Sequence, residues 1–257
     1  MSLDIGNILD GWQYDPDQVS VRIILGADGR EKIQMRLDLG LLQMEMDGRP
    51  DGERPEGFES LLDYYTHRQR TAESSDPDKA IALLESTECE KLLREGVQYY
   101  YRYLSFWHLK RYELCARDTN RNLRLFRFVR EYAHHERDKR QFDQWRPYVT
   151  MMHARAVATP LVEMAQYDAA LNAIEAGINA IKKFLEEYQQ TECVELAQLE
   201  RWRDQIVARR PSRPPVEPPP SPLTKLKEDL QQAIVDERFE EAARLRDAIR
   251  ELTKDAV

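Results

Sequence analysis

Several groups of side chains in this sequence have the types and spacing for chemistry. Glu131, His134 and Asp138 fall at offsets that share one face of a helix, and Glu-x-x-His is the spacing by which di-iron bundles hold their metal. Such a centre needs two of these pairs plus two further carboxylates. The pattern occurs once, because His153 has no glutamate three residues before it, so the trio reads as helix-surface charge and no metal or other cofactor is expected. The neighbouring His134-His135 pair faces two directions. Arg117, Arg121 and Arg124 also share a helical face and could hold an anion or an acidic peptide. The plainer reading is that they pair with the acidic residues of 1–63, or are solvated. Tyr99, Tyr100, Tyr101, Tyr103, Phe106 and Trp107, with Arg102 among them, have the composition of a single-strand stacking surface. Consecutive aromatics on a helix point all round it, so most are expected in the core. Cys115 reads as a small core residue, since no triad-like set accompanies it.

The elements that must position these groups can be read along the chain. With 257 residues the chain has length for one large or two modest domains. It is 42% apolar and 33% charged, enough apolar residue to build a core under a charge-rich surface. Its formal net charge of −8 disfavours direct nucleic-acid binding, which draws on clustered Lys and Arg. Three scattered cysteines argue against a disulfide framework and fit a reducing compartment. No signal-peptide h-region and no long apolar run is seen, so a cytoplasmic protein with no membrane contact is expected.

The fold class expected is mainly α (α+β overall), in four stretches. Over residues 1–56, Val19, Val21 and Ile23, then Ile33, Met35, Leu37 and Leu39, alternate with polar residues around Gly26-Ala27-Asp28-Gly29, a β-hairpin signal. Residues 41–46 extend its second strand or start a third, and 47–55 form a Gly- and Pro-rich loop. A hairpin this small must pack on the helices that follow. Residues 57–208 read as helical, punctuated by Pro77 (after a helix-starting Asp76), Gly96, Pro147, Pro160 and Gly177. A short internal repeat aligns Lys110-Arg111-Tyr112-Glu113-Leu114-Cys115 with Ala165-Gln166-Tyr167-Asp168-Ala169-Ala170, 55 residues on. Irregular TPR-like helix pairs and a generic helical bundle are the alternatives, two copies being fewer than a solenoid needs. Residues 209–222 carry seven prolines and read as a semi-rigid spacer. Residues 223–254 read as two amphipathic helices, striped by Leu223, Leu226, Leu230 and Ile234, and by Ala242, Leu245, Ile249 and Leu252, around a turn at Asp236.

The run from Phe239 to Leu252, Phe-Glu-Glu-Ala-Ala-Arg-Leu-Arg-Asp-Ala-Ile-Arg-Glu-Leu, with Leu226, Leu230 and Ala233 before it, resembles the UVR (UvrB/UvrC) motif shared by two components of the excinuclease. The resemblance covers about the last 30 residues. It implies a bacterial-type antiparallel helical hairpin that pairs with another protein or with its own copy. The motif also occurs in adaptors and ATPases of Clp proteolysis. In that reading Phe239 is the anchor near the turn. Leu226, Leu230, Leu245 and Ile249 form the seam, Ala242 and Ala243 permit close helix approach, and Arg246 and Asp247 bracket the seam with charge. The sequence has no G-x-x-x-x-G-K-[ST] phosphate loop and no C-x-x-C pair, so neither the helicase chemistry of the excinuclease nor the zinc site of UVR-bearing kinase activators is expected. The function expected is that of a non-enzymatic adaptor docking a UVR-type or helical-hairpin partner, in DNA excision repair or Clp-type quality control. The rival is an enzyme or small-ligand protein with a site between the β segment and the helices, using acids of the 47–53 loop. Turn geometry alone explains that loop's Gly and Pro.

Overall fold

A computed structural model describes residues 4–75, 83–210, 222–236 and 238–254. The proposed helix start at Asp76-Pro77 and most of the proline-rich spacer lie outside these residues. The chain divides into two compact units, Met1–Arg210 and Pro211–Val257.

The first unit opens with a single helical turn, α1 (Gly6–Leu9), and an antiparallel sheet of three strands, β1 (Val21–Leu25), β2 (Glu31–Leu37) and β3 (Gly40–Glu45), in that order. Alternation produces it: Ile33 pairs with Met44 and Ile23, and Met35 with Leu42 and Val21. These residues lie on one face, where Ile33, Met35 and Met44 are buried. The β1–β2 turn uses Gly29 at φ +75, where glycine has no Cβ penalty. Residues 40–45 form a third strand, not an extension of the second. Leu39, expected within the strand run, sits in the turn between β2 and β3 and is 92% exposed, because Leu37 already pairs with Gly40 and the chain reverses there.

Helices follow: α2 (Leu61–Ser75), α3 (Ser86–His108), α4 (Tyr112–Tyr132), α5 (Glu136–Asp143), α6 (Arg146–Glu163), α7 (Tyr167–Glu187) and α8 (Val194–Arg209). α3 packs on α4, α4 on α6, α6 on α7 and α7 on α8. One hydrophobic core runs from Ile33, Met35 and Met44 of the sheet through Tyr103, Phe106 and Leu125 to Ile178 and Leu199, so the sheet is part of the bundle's core.

The internal repeat has a structural counterpart. Lys110 and Ala165 hold φ +56 and +57. One residue later Arg111 and Gln166 donate their backbone N–H to Phe106 O and Leu161 O, both at 2.8 Å. These are left-handed helix endings made without glycine. α4 and α7 then start at the matched tyrosines, and the matched Cys115 and Ala170 are both 0% exposed. The same turn recurs at Gln189, φ +53, where Gln190 N donates to Leu185 O.

Two glycines read as punctuation prove otherwise. Gly96 lies inside α3, where an added Cβ would stand 3.1 Å from Leu125 Cδ2. Gly177 lies inside α7, where it would meet Ala154 Cβ at 2.7 Å. Each marks a close helix crossing, where packing outweighs the roughly 1 kcal/mol helix cost of glycine. Of the prolines expected at helix starts or kinks, Pro147 sits in the first turn of α6 and Pro160 inside that helix near its end.

In the second unit α9 (Pro222–Val235) and α10 (Phe239–Lys254) pack on each other. Among the described residues no helix is long and apolar enough to cross a membrane.

Candidate functional site

The α9–α10 hairpin is built from two short stripes. Leu226, Leu230 and Ala233 recur along α9 at four and three residues, and Leu245, Ala248 and Ile249 along α10, the spacing that keeps side chains on one helical face. Ala233 is 1% exposed, while the five larger or later members are only half-buried. Charged neighbours flank them: Lys225, Lys227, Glu228 and Asp229 on α9, and Glu241, Arg244, Arg246 and Asp247 on α10, all exposed. At the turn, Arg238 N donates to Ala233 O at 2.8 Å, closing the end of α9. The Arg238 guanidinium bonds Asp236 at 2.8 Å and Glu241 at 2.7 Å. The Asp236 bond first, then the Glu241 charge, raises the pKa of Arg238 above its usual value. Asp236 also accepts from Gln232 Nε2 at 3.0 Å. Two facing stripes of this length close a turn but leave leucine and isoleucine surface in water.

Residues 221–255 match the family model of the UvrB/uvrC motif. No curated protein and no solved structure matches the chain. The UVR motif belongs to contexts of DNA repair and protein interaction.

Within the UVR hairpin, the seam residues named from the sequence, Leu226, Leu230, Leu245 and Ile249, are half-buried on two helices that pack on each other. Ala248 is half-buried as well and was missed, although its position three residues after Leu245 was a usable signal. Phe239 and Ala242 lie in α10, but their side chains fall outside the described residues, as do those of Leu223, Ile234 and Leu252. Ala243 is exposed. Arg246 and Asp247 are exposed and bonded to each other, at 3.2 and 3.0 Å from the guanidinium nitrogens to Asp247 Oδ1.

The arginine trio of the first unit is engaged by the chain's own carboxylates. Arg117 bonds Asp118 at 3.0 Å, Asp47 at 2.5 Å and Met46 O at 2.8 Å. Burial alone would lower its pKa, yet Asp118 and Asp47 beside it raise it overall. Arg121 bonds Glu95, which is 0% exposed. Arg124 lies 4.0 Å from Asp63. Two of these partners, Asp47 and Asp63, come from the acidic first 63 residues, the plainer of the two readings. Below the trio, Arg102 and Asp118, each 1% exposed, form a two-pronged ion pair at 2.6 and 3.1 Å, and Arg102 also donates to Glu45 O at 3.1 Å. Glu95 further accepts the N–H groups of Leu61 at 2.7 Å and Leu62 at 3.3 Å, covering the start of α2. No sequence spacing announced this network.

The aromatic run is core: Tyr99, Tyr103 and Phe106 are buried, and Tyr100, Tyr101 and Trp107 pack half-buried against them. Cys115 is 0% exposed, and burial, then Asp118, pushes its thiol up to about 12. The 47–53 loop borders an open groove of about 750 Å³. Its acids are already paired: Asp47 with Arg117, Asp51 with Arg49 at 3.1 Å, Glu53 with Arg49 at 3.7 Å.

The Glu131, His134, Asp138 face does not form, because α4 ends at Tyr132. Asp138 is buried and accepts from Ser86 Oγ at 2.6 Å. Instead an isolated parallel bridge joins Leu84 to Ala133, with Leu84 N donating to Tyr132 O at 2.7 Å and His134 N to Leu84 O at 3.0 Å. It sets Glu85 beside His134 and His135.

Proposed function

We propose that this chain is a non-enzymatic adaptor whose UVR hairpin docks a second protein by completing a helical bundle. The partner is a UVR-type or other helical hairpin, or a second copy of this one. The supporting observation is the motif match over a hairpin whose leucine and isoleucine seam stays half in water. Burying that surface releases about 25 cal/mol per Å² of apolar area, and a partner helix is the surface of matching shape. The exposed Ala243, Arg246 and Asp247 are then available for a partner's approach and register. DNA excision repair and Clp-type protein quality control are the two settings in which such an adaptor would serve. The enzyme reading draws little support from the groove at 47–53, whose acids are held by arginines.

The test compares the full chain with a chain ending at Arg210, in pull-down and in sedimentation for self-association. Loss of the partner with the shortened chain is expected. Leu230→Glu and Ile249→Glu place a carboxylate in the seam, and Phe239→Ala removes an anchor of the kind that costs about 3–5 kcal/mol in a core. Each should weaken docking more than about tenfold, which takes only about 1.4 kcal/mol, whereas the exposed Glu241→Gln should leave it unchanged. Equal loss from all four would indicate an electrostatic tail, and retention of every partner by the shortened chain would refute the adaptor reading.

A further inference from the structure

The Leu84–Ala133 bridge assembles a group that no stretch of sequence contains. Glu85 opens α3, and its carboxylate direction is set by a capping box: it accepts from the backbone of Glu88, whose own side chain accepts from Glu85 N at 3.0 Å. His134 and His135 follow the end of α4, and their rings stack with centroids 4.5 Å apart and planes 24° from parallel. His134 Nδ1 stands 3.6 Å from Glu85 Oε1. One ligand atom from each of the three residues lies within 4.8 Å of the others. Beneath them Leu84 is 0% and Ala133 2% exposed, so the two backbone segments carrying the three side chains are anchored in the core.

We infer that Glu85, His134 and His135 form a binding site for a late first-row divalent ion, Zn²⁺ above all. Two imidazole nitrogens and one carboxylate oxygen are the donor set zinc takes at about 2.0–2.2 Å, which places neighbouring donors about 3.4 Å apart in tetrahedral geometry. The Glu85–His134 separation is already close to that. The three ligand atoms lie within 4.8 Å of one another, so reaching that spacing takes at most about 1.4 Å of movement, which rotation of the exposed side chains supplies. Three protein ligands leave a position for water, the open arrangement. The capping box supplies the outer bonds that orient the carboxylate. A bound ion cross-links the entry to α3 with the α4–α5 connection, two segments otherwise joined by the backbone bridge, so it stabilises the first unit. This site is independent of the UVR hairpin and of the adaptor proposal.

The experiment titrates the full, tag-free chain with ZnCl₂ in a non-coordinating buffer near neutral pH. Calorimetry should show one saturable site per chain, and thermal unfolding of the first unit should shift upward with zinc. Glu85→Gln keeps an oxygen for the capping box, and His134→Gln and His135→Gln alter exposed side chains, so all three variants fold. Each should weaken zinc by about tenfold or more and abolish the thermal shift. His67→Gln, His108→Gln and Cys193→Ser test other accessible imidazole and thiol donors and should bind as the parent does. Co²⁺ in place of zinc should give a visible spectrum without thiolate charge transfer. Absence of saturable binding, or binding that survives His134→Gln with His135→Gln, would overturn the site.

Discussion

Arg102 and Asp118 show how charge is handled inside the first unit. Both are 1% exposed, far from the solvent that would normally screen them. Removing one partner strands the other, and breaking a buried pair typically costs about 3–5 kcal/mol. Asp118→Ala should therefore lower the unfolding free energy of the first unit, measured by urea denaturation, by an amount in that range. Arg102→Met combined with Asp118→Leu leaves no stranded charge and should cost clearly less. Equal losses in the single and double variants would mean that packing, not charge, dominates at this point. In the sequence both residues look like members of an exposed basic stretch with a stray acid. The alternation of charge and aromatic residues along 99–121 carries no mark of which guanidinium turns inward, because that depends on Glu45, Met46 and Asp47 arriving from another element.

Glu95 plays a role that belongs to the element scale. From inside α3 it accepts the first N–H groups of α2 and the Arg121 guanidinium, with Arg49 Nε 3.4 Å away. Glu95→Ala removes all of these at once. It should cost at least about 3 kcal/mol, and the amides of Leu61 and Leu62 should exchange with deuterium much faster than those of α4. Unchanged protection at Leu61 and Leu62 would show that Ser60, whose hydroxyl accepts from Asp63 N at 3.1 Å, suffices to hold that end. Much of the element order was legible beforehand: period-two alternation marked β1 and β2, and the heptad-like leucines marked α9 and α10. The turns were less so. At Lys110, Ala165 and Gln189 the chain adopts positive φ without glycine, so only the repeated Tyr112 and Tyr167 hinted at the first two and nothing hinted at the third. Gly96 and Gly177 misled in the other direction, since close packing fixes a glycine inside a helix as firmly as a turn does outside one. The Glu85–His134 neighbourhood depends on a parallel bridge between residues 84 and 133, a distance no local periodicity can register.

At the scale of the whole molecule, the two compact units meet along the chain at Arg210 and Pro211. Brief proteolysis should cut within 209–222, whose seven prolines read from the sequence as a spacer, and release a fragment 1–208 with its thermal transition intact. A fragment that melts lower than the parent would show that the units support each other. The sheet has a different dependence. Its apolar face, with Ile33, Met35 and Met44, is closed by helices that come later: Glu45 O waits for Arg102, 57 residues on, and Met46 O for Arg117, 71 residues on. Synthesis proceeds at about 5–20 residues per second, so the strands precede their lid by roughly 3 to 14 seconds, and three short strands alone are marginal in water. The nascent chain thus spends several seconds with that apolar face uncovered, an exposure that slower translation lengthens and that ends only when the later helices arrive.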